Sequence, residues 1–233
     1  MTKVVFDNTD LSEFGYTFHK DIDEVPEHDY EEVTILGKNG TVLIDNKRMK
    51  NVSESYDIAI TDNSTADLDK LRNFLASKVG FKRLEDDIRP DRFVMAKFDG
   101  MNSRLPSDRS KATATMNFER KPERWLKIGE EAIDMSDNAH IFNPTLFESK
   151  PIIRVYGTGT VNVNDKYFTV AENSFEYIDI DCETMDCSSD LSNANQYVTF
   201  NTTDFITLSS GNNTIVYEGN VTKIEITPRW YEI

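Results

Sequence analysis

Short apolar runs separated by turn residues dominate the first half of the chain and predict β-strands. Residues 4–6 are apolar, and residues 56–60 alternate apolar and polar side chains at period two, as a strand with one buried face does. Residues 33–36 and 41–44 flank Gly37-Lys38-Asn39-Gly40, a turn signal in which the pair Asn39-Gly40 favours a hairpin. The pattern therefore predicts a hairpin over residues 33–44 and a half-buried strand at 56–60.

Two more strands are predicted at 92–98 and 112–119, with an exposed loop over 99–111 between them. A single helix is predicted at about 65–79, where Ser64 or Thr65 can cap the start and Gly80 can end it. Its apolar stripe, at three- and four-residue spacing, consists of Leu68, Leu71, Phe74, Leu75 and Val79. This stripe is typical of a helix that packs on a sheet.

The pattern changes after Asn143-Pro144 and Lys150-Pro151, which bracket a linker because proline disfavours helix and removes a ladder donor. From there on, only short strands are predicted, at 152–156, 160–163, 166–170, 175–181, 197–200, 205–208, 214–217 and 223–227. We therefore expect a mainly β protein with two domains. Residues 1–143 form an α+β domain with one packed helix, and residues 144–233 form a β-sandwich or jelly roll.

Charge narrows the classes of partner. The 233 residues include 26 basic and 41 acidic side chains, a formal net charge of −15. Such a chain repels phosphate, so neither specific nucleic-acid binding nor association with anionic membranes is expected. Neither a signal peptide nor an apolar run of about 20 residues is visible, so membrane insertion is not expected. The chain is predicted to fold in a cytoplasm, or to be exported by something other than a signal of its own.

The basic residues are unevenly placed, since 13 of the 26 lie between residues 78 and 127. This basic block is compatible with a solvated face, with a surface that meets an acidic face of a neighbouring copy, or with a nucleic-acid site. The last is least favoured because aromatic residues are not interleaved with the cations. A basic surface that meets an acidic face of a neighbouring copy predicts that assembly weakens with salt and with charge reversal at Arg89 and Arg92.

The sequence offers no catalytic, cofactor-binding or metal-binding residues. Cys182 and Cys187 would need two more ligands for a zinc site, and the three histidines, His19, His28 and His140, lie far away in sequence. Asp179 and Asp181 alternate with isoleucines, which is typical of a solvated strand face rather than of a hydrolase carboxylate pair. Hydrolase, kinase and metalloprotease motifs are absent, so an enzyme is not expected.

The ordered set of motifs resembles the distal tail proteins of siphophages that infect Gram-positive bacteria. The likeness extends over nearly the whole chain. Its motifs are Glu13-Phe14-Gly15, the run 33–40 with its Gly-x-x-Gly turn, the lone helix, 116–126 followed by Gly129, Asn143-Pro144-Thr145, 150–159, 178–183, Gly211-Asn212-Asn213 and 226–230.

This resemblance implies a homo-oligomeric ring, hexameric in the family, built by the first domain and decorated by a galectin-like second domain. The ring would be the baseplate hub that joins the tail tube to tail-tip, tail-associated or receptor-binding proteins, and its channel would pass DNA. The expected location is the virion tail tip, after synthesis in the bacterial cytoplasm. Catalytic residues and cofactors are not implied.

A carbohydrate-binding module that takes part in adhesion to the host surface is the alternative. Jelly-roll and galectin-like domains hold sugars on an exposed aromatic ring flanked by polar groups. Trp230 with Tyr231, or Tyr167, could supply that ring, although each could equally belong to a core or an interface.

Overall fold

The computed structural model describes residues 1–19, 24–60, 64–105, 112–135, 139–190 and 192–233. The chain divides into two compact units. The first comprises residues 1–124 together with Ile233, and the second comprises residues 125–232. The predicted mainly β fold class is confirmed. The division falls nearer the amino terminus than the predicted 143/144 boundary, because the segment after Trp125 pairs with strands of the second unit.

The first unit contains one α-helix and nine strands among the described residues. They are β1 (Val4–Phe6), β2 (Thr9–Asp10), β3 (Tyr16–His19), β4 (His28–Thr34), β5 (Thr41–Met49), β6 (Val52–Ile60), α1 (Ser64–Ser77), β7 (Lys82–Asp86), β8 (Arg92–Arg104) and β9 (Ala112–Leu126).

Seven of these strands form one antiparallel sheet in the order β2-β1-β7-β8-β9-β6-β3. Inward side chains alternate with outward ones along β6 and β9, as the period-two pattern requires. Their buried faces pack with Phe6, Phe118 and the apolar stripe of α1. The core of the first unit therefore lies between one helix and one sheet face.

The predicted helix is confirmed, and Leu68, Leu71 and Leu75 are buried. Its end was predicted too late, because α1 stops at Ser77 and Val79 is 84% exposed. Gly80 follows with φ +77, the left-handed conformation that glycine adopts without strain. The side chain of Ser64 lies outside the described residues, so the predicted cap is not assessed.

The predicted hairpin is confirmed, because β4 and β5 pair up to Thr34 and Thr41 and the loop between them, 35–40, contains the predicted turn at 37–40. Two glycines with positive φ, Gly37 and Gly40, allow this turn. The loop predicted at 99–111 is wrong in its first part, since β8 continues to Arg104. Residues 106–111 lie outside the described residues.

The second unit consists of strands and short 3-10 turns among the residues described. Its strands are β10 (Ile133–Met135), β11 (Ala139–Asn143), β12 (Ile152–Val163), β13 (Lys166–Val170), β14 (Tyr177–Asp181), β15 (Asp186–Ser189), β16 (Ser192–Asn193), β17 (Val198–Phe200), β18 (Gly211–Thr227) and β19 (Tyr231–Glu232).

Two long strands organise this unit, since β12 pairs along its whole length with residues 215–227 of β18. One half of the pair is flanked by β11 and β13, and the other half by β10 and β14. The buried apolar residues of both halves form one core, so the halves are the two layers of a sandwich. Each long strand was predicted as two short ones, and the predicted strand at 205–208 makes only an isolated bridge at Leu208.

Glycines make the corner where β12 passes from one layer to the other. The register with β18 shifts at Tyr156 and Gly157, and Gly157 and Gly159 have φ values of +91 and +148. A Cβ at Gly159 would lie 2.1 Å from the carbonyl oxygen of Glu218. A side chain at this position would therefore meet backbone that cannot move without breaking the ladder.

We expect Gly159→Ala to destabilise the second unit by about 3 kcal/mol, because it adds backbone strain to a steric clash. Urea-induced unfolding would measure the loss. Gly211→Ala is the matched control in the same unit, since Gly211 also has positive φ (+84) but a Cβ added there would have no atom within 4 Å. The control should lose about 1 kcal/mol. Equal losses in the two variants would show that crowding at the corner is unimportant.

Candidate functional site

The most exposed part of the first unit is the hairpin formed by β4, loop 35–40 and β5, which we call the hairpin arm. The arm is a separate two-stranded sheet, and neither of its strands pairs with the seven-stranded sheet among the described residues. Most of its residues are exposed. An isolated two-stranded ribbon is marginally stable in water, so the arm has the properties of an element that packs on a partner.

Apolar side chains point outward from both faces of the hairpin arm. Leu43 is 54% exposed and Ile44 is 47% exposed, and as neighbours on β5 they point to opposite faces. Leu36 in the loop is fully exposed. Clusters of exposed apolar residues on a charged protein mark interaction sites.

A second candidate surface lies at the edge of the seven-stranded sheet. Strand β3 ends the sheet order, and Tyr16 and Phe18 on it are 48% and 43% exposed. Phe18 also lines an open groove of about 490 Å³ with residues of β6, β8 and β9. An edge strand beside a groove can accept a further strand or hairpin.

Much of the basic block is neutralised within the first unit. Lys78 pairs with Asp7 at 2.8 Å, and Lys97 pairs with Glu119 at 2.7 Å. The bond from Lys78 lowers the pKa of Asp7 below its ordinary value, and bonds from Asn51 and then Lys97 do the same for Glu119. The sequence-based hypothesis of an intersubunit basic surface therefore has fewer available cations than the residue count indicates.

Arg89 and Arg92, the two residues chosen from sequence for charge reversal, lie on one cavity of about 100 Å³ together with Arg124. Both are half-buried, and Arg124 is buried. The structure thus brings three cations of the basic block together. Their contact with a neighbouring copy stays a prediction.

Arg120 is the largest fully buried side chain of the described residues, with 0% exposure. Its Nε donates to Oε2 of Glu54 at 3.0 Å, and its terminal nitrogens donate to the carbonyl oxygens of Lys121, Pro122 and Glu24. Sequence analysis missed it. The only available signal was the period-two alternation of β9, which puts Arg120 on the same face as Phe118.

Tyr56 extends this buried polar region. Its hydroxyl donates to Oδ2 of Asp86 at 2.9 Å. Burial, reinforced by the charges of Glu54 and Asp86, raises the pKa of Tyr56 well above its ordinary value, so the phenol stays protonated. This arrangement holds strands together and offers no activated nucleophile.

Charged side chains cover one outward face of the second unit. Arg154 makes two hydrogen bonds to Asp179, at 2.7 and 2.8 Å, and these raise the pKa of the guanidinium. Arg229 makes two to Asp181. Partial burial acts to raise the pKa of Asp181, but the Arg229 bonds lower it below its ordinary value. Asp179 and Asp181 thus share an outward face, as predicted, and each has an arginine partner.

Neither cysteine is arranged for chemistry. Cys182 and Cys187 are free and buried, and burial raises the pKa of each thiol to about 12. Within the described residues, no group of three His, Cys, Asp or Glu side chains could hold a metal ion. In the same part of the chain, no helix is long and apolar enough to cross a membrane.

The aromatic residues suggested for sugar binding differ in their exposure. Trp230 is wrong as a candidate, because it is 3% exposed and packs in the core of the second unit. Tyr231 is half-buried, with its ring stacked 5.5 Å from that of Phe147. Tyr167 remains exposed, at 44%.

The whole chain has the fold of proteins from the adsorption apparatus of bacteriophage tails. It is similar to the crystal structure of the phage SPP1 Dit (gp 19.1) protein, described as a paradigm of the hub adsorption apparatus in phages infecting Gram-positive bacteria. The TM-score is 0.76 at 14% identity, and 100% of each chain is covered.

A second similar structure is the baseplate of phage P2 in its activated conformation with Ca, with a TM-score of 0.54, 10% identity and 97% of each chain covered. No family model and no curated protein matches the sequence. The resemblance to distal tail proteins noted in the sequence is therefore confirmed at the level of fold.

Proposed function

We propose that this chain is a structural hub protein at the distal tip of a phage tail, not an enzyme. The observation that carries the proposal is the fold shared with SPP1 Dit along 100% of both chains. A shared fold does not fix function by itself. The exposed surfaces of the first unit supply independent support, because they suit repeated contacts between copies.

Copies of the chain would close into a ring, a hexamer in the proposal. A ring needs two different surfaces on each subunit, one that reaches out and one that receives. The hairpin arm fits the first role, with Leu36, Leu43 and Ile44 exposed. The edge strand β3 and the groove lined by Phe18 fit the second.

The ring would join the tail tube to tail-tip or receptor-binding proteins and let DNA pass through its channel, in a virion assembled in a bacterial cytoplasm. The net charge of −15 supports the channel role. Duplex DNA carries a negative charge about every 1.7 Å, so an acidic chain would not hold DNA tightly as it passes.

Light scattering of the full chain at several concentrations and salt levels tests the proposal. We expect a discrete particle of six times the 26.7 kDa chain mass, visible as a ring by negative-stain microscopy. Salt should weaken it, as should charge reversal at Arg89 and Arg92, if the basic block meets an acidic face of the neighbour. A chain that stays monomeric at every concentration and salt level would contradict self-assembly into a ring.

A further inference from the structure

The two outward faces of the second unit differ sharply in charge. The face around Arg154, Asp179 and Glu225 carries ion pairs. The opposite face, built on β11, β13 and the other halves of β12 and β18, has one charged residue at the outward positions of those four strands, Glu218 near its end. The outward side of this sheet is therefore nearly free of charge, while Lys166 lies at an inward position at the start of β13.

The uncharged sheet carries hydroxyl, amide, imidazole and aromatic groups, and we call it the polar face. The pairing register puts His140 beside Thr214, and Asn162 beside both Val216 and Tyr167. Its outward residues include His140, Phe142, Thr160, Asn162, Tyr167 and Thr214. Four strands span about 14 Å at the usual strand spacing, which is room for a short oligosaccharide.

Aromatic rings are exposed at both sides of the polar face. Tyr167 on β13 is 44% exposed, and Phe142 on β11 is 62% exposed. The backbone of Tyr167 is fixed, because its N–H donates to Oδ1 of Asn201 at 2.9 Å. A rigid ring gives a flat apolar platform at little cost in conformational entropy.

Hydrogen-bonding groups lie between the rings. The side chain of Asn162 and the hydroxyl of Tyr167 have no protein partner in the described part of the chain. Thr214 Oγ1 lies 3.2 Å from Nδ1 of His140, and Thr160 Oγ1 lies 3.1 Å from Oγ1 of Thr169. Each of these groups can both donate and accept, as the hydroxyls of a sugar do.

We propose that the polar face binds an uncharged oligosaccharide, with Tyr167 stacked against a sugar ring and Asn162 bonded to its hydroxyls. The absence of Lys and Arg among these six outward residues disfavours nucleic acid, anionic lipid and phosphorylated polymers. Uncharged hydroxyls are desolvated at lower cost than charged groups when they meet such a surface. The inference does not depend on ring assembly.

The test uses the full chain and a panel of immobilised uncharged oligosaccharides of hexose and N-acetylhexosamine, with sulfated counterparts. We expect at least one uncharged probe to bind with a Kd of about 0.1–1 mM, a common range for weak sites. Tyr167→Ala and Asn162→Ala should each weaken that binding about tenfold, as for residues at the centre of a contact.

Tyr177→Ala is the matched control, since Tyr177 lies on the charged face, opposite the polar face. It should leave the affinity unchanged, and thermal unfolding would verify that every variant is folded. Failure of all uncharged probes to bind, preference for the sulfated probes, or binding that survives both Tyr167→Ala and Asn162→Ala would overturn the proposal.

Discussion

A chain carrying Leu43→Gln and Ile44→Gln is expected to run as a monomer at concentrations where the unaltered chain forms a ring. Both side chains are about half exposed in the single chain and point to opposite faces of the hairpin arm. In the ring, each would be covered by the neighbouring copy. Light scattering of the two proteins at matched concentrations measures the effect.

The expected size follows from apolar burial. Complete burial of an aliphatic side chain contributes about 1.5–3 kcal/mol. About half of each side chain is already covered in the single chain, so docking would bury the other half, and the two residues together would contribute about 2 kcal/mol to each contact. This is a change of about thirtyfold in the affinity of one contact. Because the loss recurs at every subunit boundary, ring closure should fail even if each contact retains some affinity.

The matched control is Val79→Gln with Met185→Gln. These residues are 84% and 61% exposed and lie outside the hairpin arm, so the control removes similar apolar surface and adds no charge. It should assemble as the unaltered chain does. If the arm variant also kept its ring, the subunit contact would have to lie elsewhere on the first unit.

The elements best predicted from sequence are those whose signal is local. The apolar stripe of α1 and the alternation of β6 each depend on residues within a single element, and both are confirmed except for Val79, which lies beyond the end of the helix. Strands β12 and β18 were each divided in two, because Gly157-Thr158-Gly159 and Gly219-Asn220 have the composition of turns. In the structure these glycines bend continuous strands, and only the pairing partner distinguishes a bend from a turn.

The candidate surfaces were harder to predict, because they depend on which face of an element is covered. The runs 33–36 and 41–44 read as ordinary strands, and nothing local indicates that both faces of the arm lack cover. For Trp230 the error is the opposite one, because a residue expected to be exposed is covered. Trp230 was a candidate for an exposed sugar-binding ring, but it packs in the core of the second unit. Resemblance along the whole chain indicated the fold where local patterns could not.

Arg120→Met is expected to destabilise the first unit by about 3 kcal/mol, since it removes the guanidinium that donates to the buried carboxylate of Glu54. Three backbone carbonyls would also lose a donor. Urea-induced unfolding would measure the loss. Adding Glu54→Gln to Arg120→Met should recover part of it, because a neutral amide costs less to bury than a carboxylate that has lost this hydrogen bond.

Lys97→Met provides the control for a pair of the same type at the surface. Lys97 and Glu119 are 2.7 Å apart, but their side chains are 39% and 33% exposed, so water replaces the lost partner. The expected loss is below about 1 kcal/mol. If Arg120→Met lost as little free energy of unfolding as Lys97→Met, the ion pair between Arg120 and Glu54 would not be important for stability.

Arg120→Met should also weaken assembly, because Arg120 is hydrogen-bonded to the segment that leads into the hairpin arm. Its Nη2 donates to the carbonyl oxygen of Glu24 at 3.0 Å, and the arm begins four residues later at His28. Without this anchor, the arm must be ordered when it docks, and that ordering opposes ring closure. Assembly should be measured by light scattering at a temperature where both variants are folded. Arg120→Met should then need a higher protein concentration than Lys97→Met to form the ring. Equal assembly of the two would separate the role of Arg120 in stability from any role in positioning the arm.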